Sequence, residues 1–113
     1  VGGVLNGVFF TSATNGWAVS VSGNLIFTTN GGNTWKLKNL GLTSNFNKVF
    51  FASATHGWTV GTAGTIFATT DGGATWTAQT SGTANTLTHL YFTSTTQGWV
   101  VGVSGTILTT SDG

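Results

Sequence analysis

Short runs rich in Val, Ile, Phe, Trp and Thr alternate along this chain with clusters of Gly, Thr, Ser and Asn. In the middle of the sequence the runs are KVFFAS at 48–53, GWTVG at 57–61, GTIFATT at 64–70 and TWTAQT at 75–80. β-Branched and aromatic residues favour strands, and the intervening ATHG, TAG and DGGA are typical of turns. No segment has the 3.6-residue apolar period of an amphipathic helix. The pattern therefore predicts an all-β fold.

The strand pattern recurs with a period of 41 residues. A polar residue followed by Gly-Trp occurs at 15–17, 56–58 and 97–99. When residues 8–48 are laid over 49–89, 17 of 41 positions are identical, and residues 49–72 share 13 of 24 positions with 90–113. Four strands in about 40–50 residues is the size of one β-propeller blade. A β-sandwich with accidental similarity is the alternative.

We therefore expect residues 1–113 to form a segment of a β-propeller with about three four-stranded blades, at approximately 4–41, 42–82 and 83–113. The last blade is expected to lack its outer strand, because TWKLKN and TWTAQT have no third copy. Three blades are too few to close a propeller ring. The remaining blades would come from the same parent chain or from identical chains, and the missing strand favours a piece of a larger propeller.

The composition excludes several classes of function. The chain has three Lys and no Arg, two Asp and no Glu, and a formal net charge of +1, so that a nucleic-acid partner is not expected. No apolar run approaches the roughly 18 residues of a membrane-spanning helix. The absence of Cys excludes a disulfide framework. A nearly uncharged surface rich in Thr, Ser, Asn and Gly favours an extracellular or cell-surface location.

The stretch TTDGGATW at 69–76 carries one of the two carboxylates, Asp71. An Asp or Asn side chain can accept hydrogen bonds from backbone N–H groups a few residues later and so hold a turn. The first repeat has Asn30 at this position, and an amide can hold a turn but cannot act as a general acid. The pattern resembles the Asp-box, S/T-x-D-x-G-x-T-W, of sialidase-like (BNR-type) propellers. The residues assigned to these turns are Thr28, Asn30, Gly32, Thr34, Trp35, Thr69, Asp71, Gly73, Thr75, Trp76 and Asp112.

We expect no enzymatic activity, no cofactor and no metal site in this segment. Likeness to sialidases implies an arginine cluster, a tyrosine nucleophile with a glutamate partner and an aspartate acid, whereas this chain has neither Arg nor Glu. His56 stands where the other repeats have Asn and Gln, which favours a polar turn residue. His89 stands at the entrance to a first strand.

Three tryptophans that recur in phase, Trp17, Trp58 and Trp99, are interpreted as blade-packing residues rather than as sugar-binding platforms. The links between blades, 42–47 and 83–88, differ most between repeats. Because loops on a rigid scaffold carry most binding residues, we expect a protein or glycan ligand to bind at this rim of the propeller.

The longer pattern F-x-S-x-T-x-G-W-x-V-G-x-x-G-T-I-x-x-T-x-D-G-G-x-T-W of residues 51–76, matched in the other two repeats, is similar to the blades of the photosystem II stability/assembly factor family. This resemblance implies a BNR-like propeller, a location in or around photosynthetic membranes, and a partner protein bound through a basic, Arg-rich patch. The periplasm or thylakoid lumen is thus the alternative location.

The leading hypothesis for function is a non-enzymatic binding or scaffold module of a secreted or cell-surface protein. One alternative is part of a sialidase-like or glycosidase-like hydrolase whose catalytic residues lie outside this segment. Another is a structural repeat subunit of a surface assembly.

Overall fold

The computed structural model describes residues 4–113, so that Val1–Gly3, the start of the expected propeller segment, lie outside the described residues. Within this range the chain forms eleven strands and one turn of 3₁₀ helix at Thr62–Gly64. The strands are β1 (Leu5–Phe10), β2 (Gly16–Ser20), β3 (Asn24–Thr28), β4 (Lys36–Asn39), β5 (Phe46–Phe51), β6 (Gly57–Gly61), β7 (Ile66–Thr69), β8 (Thr77–Gln79), β9 (Leu87–Phe92), β10 (Gly98–Gly102) and β11 (Ile107–Thr110).

The strands form three antiparallel sheets in which each strand pairs with its neighbours in sequence. The first sheet has the order β1-β2-β3-β4 and the second has β5-β6-β7-β8. The third sheet contains β9, β10 and β11. This arrangement confirms the expected all-β fold, and among residues 4–113 the last sheet has three strands.

Strand boundaries differ from the sequence pattern, for example at β5 and β8. β5 begins at Phe46 and ends at Phe51, so it starts inside the stretch that was expected to be a link, and Ala52 and Ser53 belong to a turn. β8 begins at Thr77, so Trp76 precedes the strand that it was expected to open. The early start of β5 follows from burial, since Phe46 is fully buried against the neighbouring sheet.

Two apolar clusters, one period apart, make up the core. The first contains Trp17, Val19, Phe46, Val49 and Phe51, together with Leu25. The second contains the residues 41 positions later, Trp58, Val60, Leu87, Leu90 and Phe92, together with Val100. Each cluster combines residues of two successive sheets, so the core lies between the sheets and grows by one layer with each repeat.

Aromatic rings make the contact between sheets. Trp58 of the second sheet stacks on Phe92 of the third, with ring centroids 3.5 Å apart and planes 5° from parallel. At the equivalent positions Trp17 lies over Phe51, with centroids 6.1 Å apart and planes 19° apart. Large apolar rings supply much of the free energy of such contacts because each removes a large area from water.

A bulge in the first strand of each sheet adds a polar contact. The pairing of β1 with β2 shifts between Leu5 and Gly7, which leaves Asn6 outside the ladder, and the same shift leaves Asn47 out of the pairing of β5 with β6. Asn6 Nδ2 donates to Phe46 O of the next sheet at 2.8 Å, and Asn47 Nδ2 donates to Leu87 O, also at 2.8 Å. The bulge thus directs an amide to the neighbouring sheet.

The three tryptophans that recur in phase differ in exposure. Trp17 and Trp58 are buried between sheets, at 6% and 3% exposure, whereas Trp99 of the third sheet is 39% exposed. Trp99 therefore serves as an internal reference for how much the burial of this tryptophan between two sheets contributes to the free energy of unfolding.

We expect Trp58→Ala to lower the free energy of unfolding by about 3–5 kcal/mol, because it removes a buried ring and leaves a cavity against Phe92. Trp99→Ala is the matched control and should cost markedly less, since this ring is already partly in water. The measurement is urea unfolding followed by far-UV circular dichroism, with Trp58→Phe as a milder variant in case the alanine variant does not fold. Equal losses for Trp58→Ala and Trp99→Ala would contradict burial between sheets.

Candidate functional site

The loops lie at two opposite ends of the sheets. We call one end the link rim; it consists of the turns and links at 21–23, 41–45, 62–64, 82–86 and 103–105. Hydrogen bonds connect its parts, since Ser22 N donates to Asn45 Oδ1 at 3.0 Å and Val103 N donates to Thr86 O at 3.0 Å. We call the other end the turn rim; it consists of the turns at 11–15, 29–35, 52–56, 70–76, 93–97 and 111–113. Gly72 N, for example, donates to Thr55 O at 3.0 Å.

Asp71 lies on the turn rim, and its carboxylate accepts hydrogen bonds from both sides of its turn. Its Oδ1 accepts from Thr69 Oγ1 at 2.8 Å and from Thr75 N at 2.9 Å, while its Oδ2 accepts from Thr75 Oγ1 at 2.5 Å. The Thr69 hydroxyl in turn accepts from Gly73 N at 2.9 Å. The carboxylate and the hydroxyl thus connect the end of β7 to the start of β8.

Asn30 makes the equivalent turn in the first sheet with an amide. Its Oδ1 accepts from Thr28 Oγ1 at 2.9 Å and from Thr34 N at 3.0 Å. Its Nδ2 donates to Thr34 Oγ1 at 2.8 Å. The threonine hydroxyl therefore accepts from the amide, whereas the hydroxyl of Thr75 donates to the carboxylate. Because a hydroxyl can do either, the turn keeps its shape with Asp or Asn.

The hydrogen bonds also change the acidity of Asp71. Donation by the side chain and the backbone of Thr75, and by the side chain of Thr69, lowers the pKa of Asp71 from 3.8 to about 2. A carboxyl group that gives up its proton this readily is an acceptor at neutral pH and a poor general acid.

Trp76 follows this turn and packs between the first two sheets. Its ring lies 5.5 Å from that of Trp17 and 6.0 Å from that of Phe51, nearly perpendicular to both. Gly73, at φ +94°, lies against the ring of Trp17. A Cβ at this position would lie 1.9 Å from Trp17 Cζ2, so the turn can approach the ring this closely only with glycine. Trp35, in the first sheet, contacts Phe10 edge to face.

The remaining ionisable side chains do not gather into one site. His56 is half-buried in the turn at 52–56, with Nδ1 2.8 Å from Thr55 Oγ1, and His89 is exposed on β9. Lys38 Nζ donates to Ala74 O of the second sheet at 2.5 Å. Asp112 accepts from Thr110 Oγ1 at 2.9 Å. Among residues 4–113, no group of three or more His, Cys, Asp or Glu is placed to hold a metal ion.

The link rim is shorter than the sequence indicated but has a uniform chemistry. Residues 46–47 and 87–88 belong to β5 and β9, and Phe46 and Leu87 are fully buried, so the stretches 42–47 and 83–88 are only partly loop. The residues of the link rim include no charged and no aromatic side chain. Nor does any helix in the described part of the chain have the length and apolar character needed to cross a membrane.

Sequence reasoning missed two residues that connect the sheets, Asn6 and Asn47. Their spacing of one period was a usable signal, because the same amide occurs at both positions of the repeat. The third repeat has Thr88 there, and its hydroxyl donates to Val101 O of its own sheet at 3.3 Å.

The lowered pKa of Asp71 predicts a pH-dependent contribution to stability. A carboxylate with a depressed folded-state pKa stabilises the fold fully above its unfolded-state value near 3.8 and loses that contribution as the pH falls towards about 2. We therefore expect the difference in Tm between the native chain and Asp71→Asn to shrink or reverse between pH 5 and pH 2. Differential scanning calorimetry at several pH values measures it.

Asp71→Ala is the control for this experiment, because it removes the acceptor altogether. It should lower Tm throughout the pH range, whereas Asp71→Asn should keep the turn as Asn30 does. A difference between the native chain and Asp71→Asn that stays constant from pH 5 to pH 2 would show that ionised Asp71 does not stabilise the fold.

Comparisons with known proteins identify a matching family and similar solved structures. Residues 39–113, about two thirds of the sequence, match the family model described as photosynthesis system II assembly factor YCF48. A solved structure described as YCF48 bound to D1 peptide is similar over 97% of this chain and 38% of its own, with a TM-score of 0.87 and 26% identity. YCF48 from Cyanidioschyzon merolae is similar over 96% of this chain and 37% of its own, with a TM-score of 0.84 and 23% identity. No curated protein matches the chain.

These similarities cover nearly all of residues 1–113 but less than two fifths of the length of either solved chain. The three sheets therefore correspond to a segment of a β-propeller, as the 41-residue repeat predicted. Because the family model matches more than half of the sequence, this chain belongs to the photosynthesis system II assembly factor YCF48 family.

Proposed function

We propose that this chain is a non-enzymatic binding module whose ligand is an extended segment of a partner protein. The observation that carries the proposal is the similarity, over 97% of the chain, to a YCF48 structure described as bound to D1 peptide. Since the chain spans 38% of that structure's length, the identity of its own partner is part of the proposal.

The state of the acidic side chains supports a role without catalysis. General acids need a pKa near the working pH, and enzymes reach it by raising the pKa of a carboxyl group. In Asp71 the pKa is lowered instead, by hydrogen bonds that hold a turn. Asp112 accepts from Thr110 Oγ1 as Asp71 accepts from Thr69 Oγ1, so the two carboxylates share this first contact of the turn.

We assign the turns after β3 and β7 to the Asp-box type, with a structural role. The hydroxyl of Thr28 or Thr69 accepts from a backbone N–H four residues later, and the Asn30 or Asp71 side chain accepts from the next threonine along. Trp76 then fills the space between two sheets. The role we assign to these residues is therefore to hold sheets together rather than to bind substrate.

The link rim is the surface we propose for partner binding. Its side chains are uncharged and non-aromatic, so it recognises a ligand by hydrogen bonds and by close contact rather than by charge. A peptide, whose backbone offers regular donors and acceptors, suits this chemistry. A glycan suits it less, since sugars commonly stack on aromatic rings and the rim has none.

The chemistry of this rim differs from the basic, Arg-rich patch that the family resemblance implies, because the chain contains no Arg. Contacts without charge are weakly screened by salt. For location, we propose the periplasm or thylakoid lumen over the cell surface, because the family model that the chain matches is described as a photosynthesis system II assembly factor.

We expect the chain to bind a D1 peptide in isothermal titration calorimetry, with a Kd that changes by less than about threefold between 50 mM and 500 mM NaCl. Ala84→Arg on the link rim should weaken binding by about tenfold, because a long charged side chain covers the uncharged surface.

Ala54→Arg is the matched control, since Ala54 is also exposed but lies on the turn rim. It should leave the Kd within about twofold. The proposal is wrong if the D1 peptide does not bind, or if Ala54→Arg weakens binding and Ala84→Arg does not.

A further inference from the structure

An asparagine followed by glycine is a pair that can react with itself. The glycine nitrogen attacks the side-chain carbonyl carbon of the asparagine, and glycine has no side chain to hinder the approach. Ammonia leaves, and water opens the resulting cyclic imide to an acidic residue. The sequence contains this pair at three places, Asn6-Gly7, Asn15-Gly16 and Asn30-Gly31.

The first two pairs are held in strand ladders. Gly7 lies in β1 opposite Val19, and Gly16 is buried in β2, where it pairs with both β1 and β3. The Asn6 side chain is also fixed, because its Nδ2 donates to Phe46 O of the next sheet at 2.8 Å. Closing the imide ring would require the backbone to leave these ladders, so the fold protects both pairs.

The third pair lies in the turn after β3, on the turn rim. Asn30 and Gly31 are both exposed, and Gly31 has a φ of +72°. Gly31 N donates to Thr14 O of the neighbouring turn at 2.9 Å. Releasing a contact between two exposed turns costs less free energy than opening a strand ladder. Of the three glycine nitrogens, that of Gly31 is therefore the one most easily freed for attack.

The turn also activates the carbon atom that this nitrogen attacks. Asn30 Oδ1 accepts from Thr28 Oγ1 at 2.9 Å and from Thr34 N at 3.0 Å. Negative charge develops on this oxygen when a nitrogen adds to Cγ, and donors that are already in place stabilise such charge. Thr34 Oγ1 lies 2.8 Å from Nδ2, beside the nitrogen that must leave.

The product of the reaction fits the turn, because the second repeat already contains it. Asp71 occupies the equivalent position, and its Oδ1 accepts from Thr69 Oγ1 and Thr75 N, the counterparts of the two donors to Asn30. Its Oδ2 accepts from the hydroxyl of Thr75. A carboxylate in place of the Asn30 amide requires only that the Thr34 hydroxyl rotate and donate.

We propose that Asn30 is a site of spontaneous deamidation in the folded chain, and that its turn retains the aspartate that forms. Gly31 N loses its proton to solvent and bonds to Asn30 Cγ, the Cγ–Nδ2 bond breaks, and ammonia leaves with a proton from solvent. Water then cleaves the new N–Cγ bond, which restores the Gly31 N–H and leaves a carboxylate. The formal net charge of +1 falls by one unit, and the turn rim gains a negative charge.

The test is to incubate the folded chain at mildly alkaline pH and to follow deamidation by mass spectrometry. Cleavage after lysine yields residues 1–36, which contain all three pairs, and fragment ions assign the mass increase to one asparagine. We expect Asn30 to react about fivefold or more faster than Asn6 and Asn15. In urea the three rates should agree within about twofold, because the fold alone distinguishes the pairs.

Asn30→Asp makes the product directly and tests whether the turn retains it. This variant should keep Tm at pH 7 within about 3 °C of the native value. The pKa of its new carboxyl, measured by ¹³C NMR, should lie below the ordinary 3.8, as that of Asp71 does. Asn33→Asp, at an exposed position of the same turn, is the matched control, and the pKa of its carboxyl should stay near 3.8.

Equal rates at the three asparagines of the folded chain, or a faster reaction at Asn6 or Asn15, would overturn the proposal. An Asn30 that stays intact in the folded chain while the chain in urea reacts would do the same. A pKa at or above 3.8 in Asn30→Asp would show that the turn does not stabilise the carboxylate. Circular dichroism establishes that each sample is folded, and no readout involves the D1 peptide, so the proposed function is tested separately.

Discussion

The rings of Trp58 and Phe92, stacked with their centroids 3.5 Å apart, join the second sheet to the third. Trp17 and Phe51, with centroids 6.1 Å apart, join the first sheet to the second. A single repeat unit cannot bury its apolar face by itself, so each sheet depends on the face of the next. The other interactions between sheets add to these aromatic contacts. The bulges at Asn6 and Asn47 send an amide across to the neighbouring sheet, and Trp76 fills the space beside Trp17.

Much of this arrangement was predictable because the repeat is long and internally consistent. Strands such as β6 (Gly57–Gly61) follow from β-branched and aromatic residues between turn sequences, and the 41-residue period predicted how the strands group into three sheets. Contacts between sheets were less predictable. The period shows that Phe46 and Leu87 are equivalent positions. Because the residues around them differ between repeats, the stretches 42–47 and 83–88 were predicted to be loops, yet both side chains are fully buried. Similarly, the sequence motif predicts that Trp76 follows a turn, but it does not predict which sheet the ring of Trp76 packs against.

The sequence predicted the chemistry of the candidate site better than its position on the fold. The exchange of Asp71 for Asn30 between repeats predicted a turn that needs an acceptor, and the two sets of hydrogen bonds differ only in the direction of one threonine hydroxyl. The even spread of uncharged side chains over the link rim offers no cluster that a sequence motif could mark. The binding that we propose for this surface depends on its shape and on hydrogen bonds, and both arise only when the sheets are assembled.

The central claim is that the carboxylates of this chain accept hydrogen bonds that hold turns, so that successive sheets can pack. The most direct measurement is the ¹³C chemical shift of the Asp71 carboxyl carbon, followed by NMR as a function of pH. The account predicts a pKa of about 2, because three donor groups of Thr69 and Thr75 stabilise the ionised form. A pKa above the usual 3.8, as expected for a general acid, would contradict it.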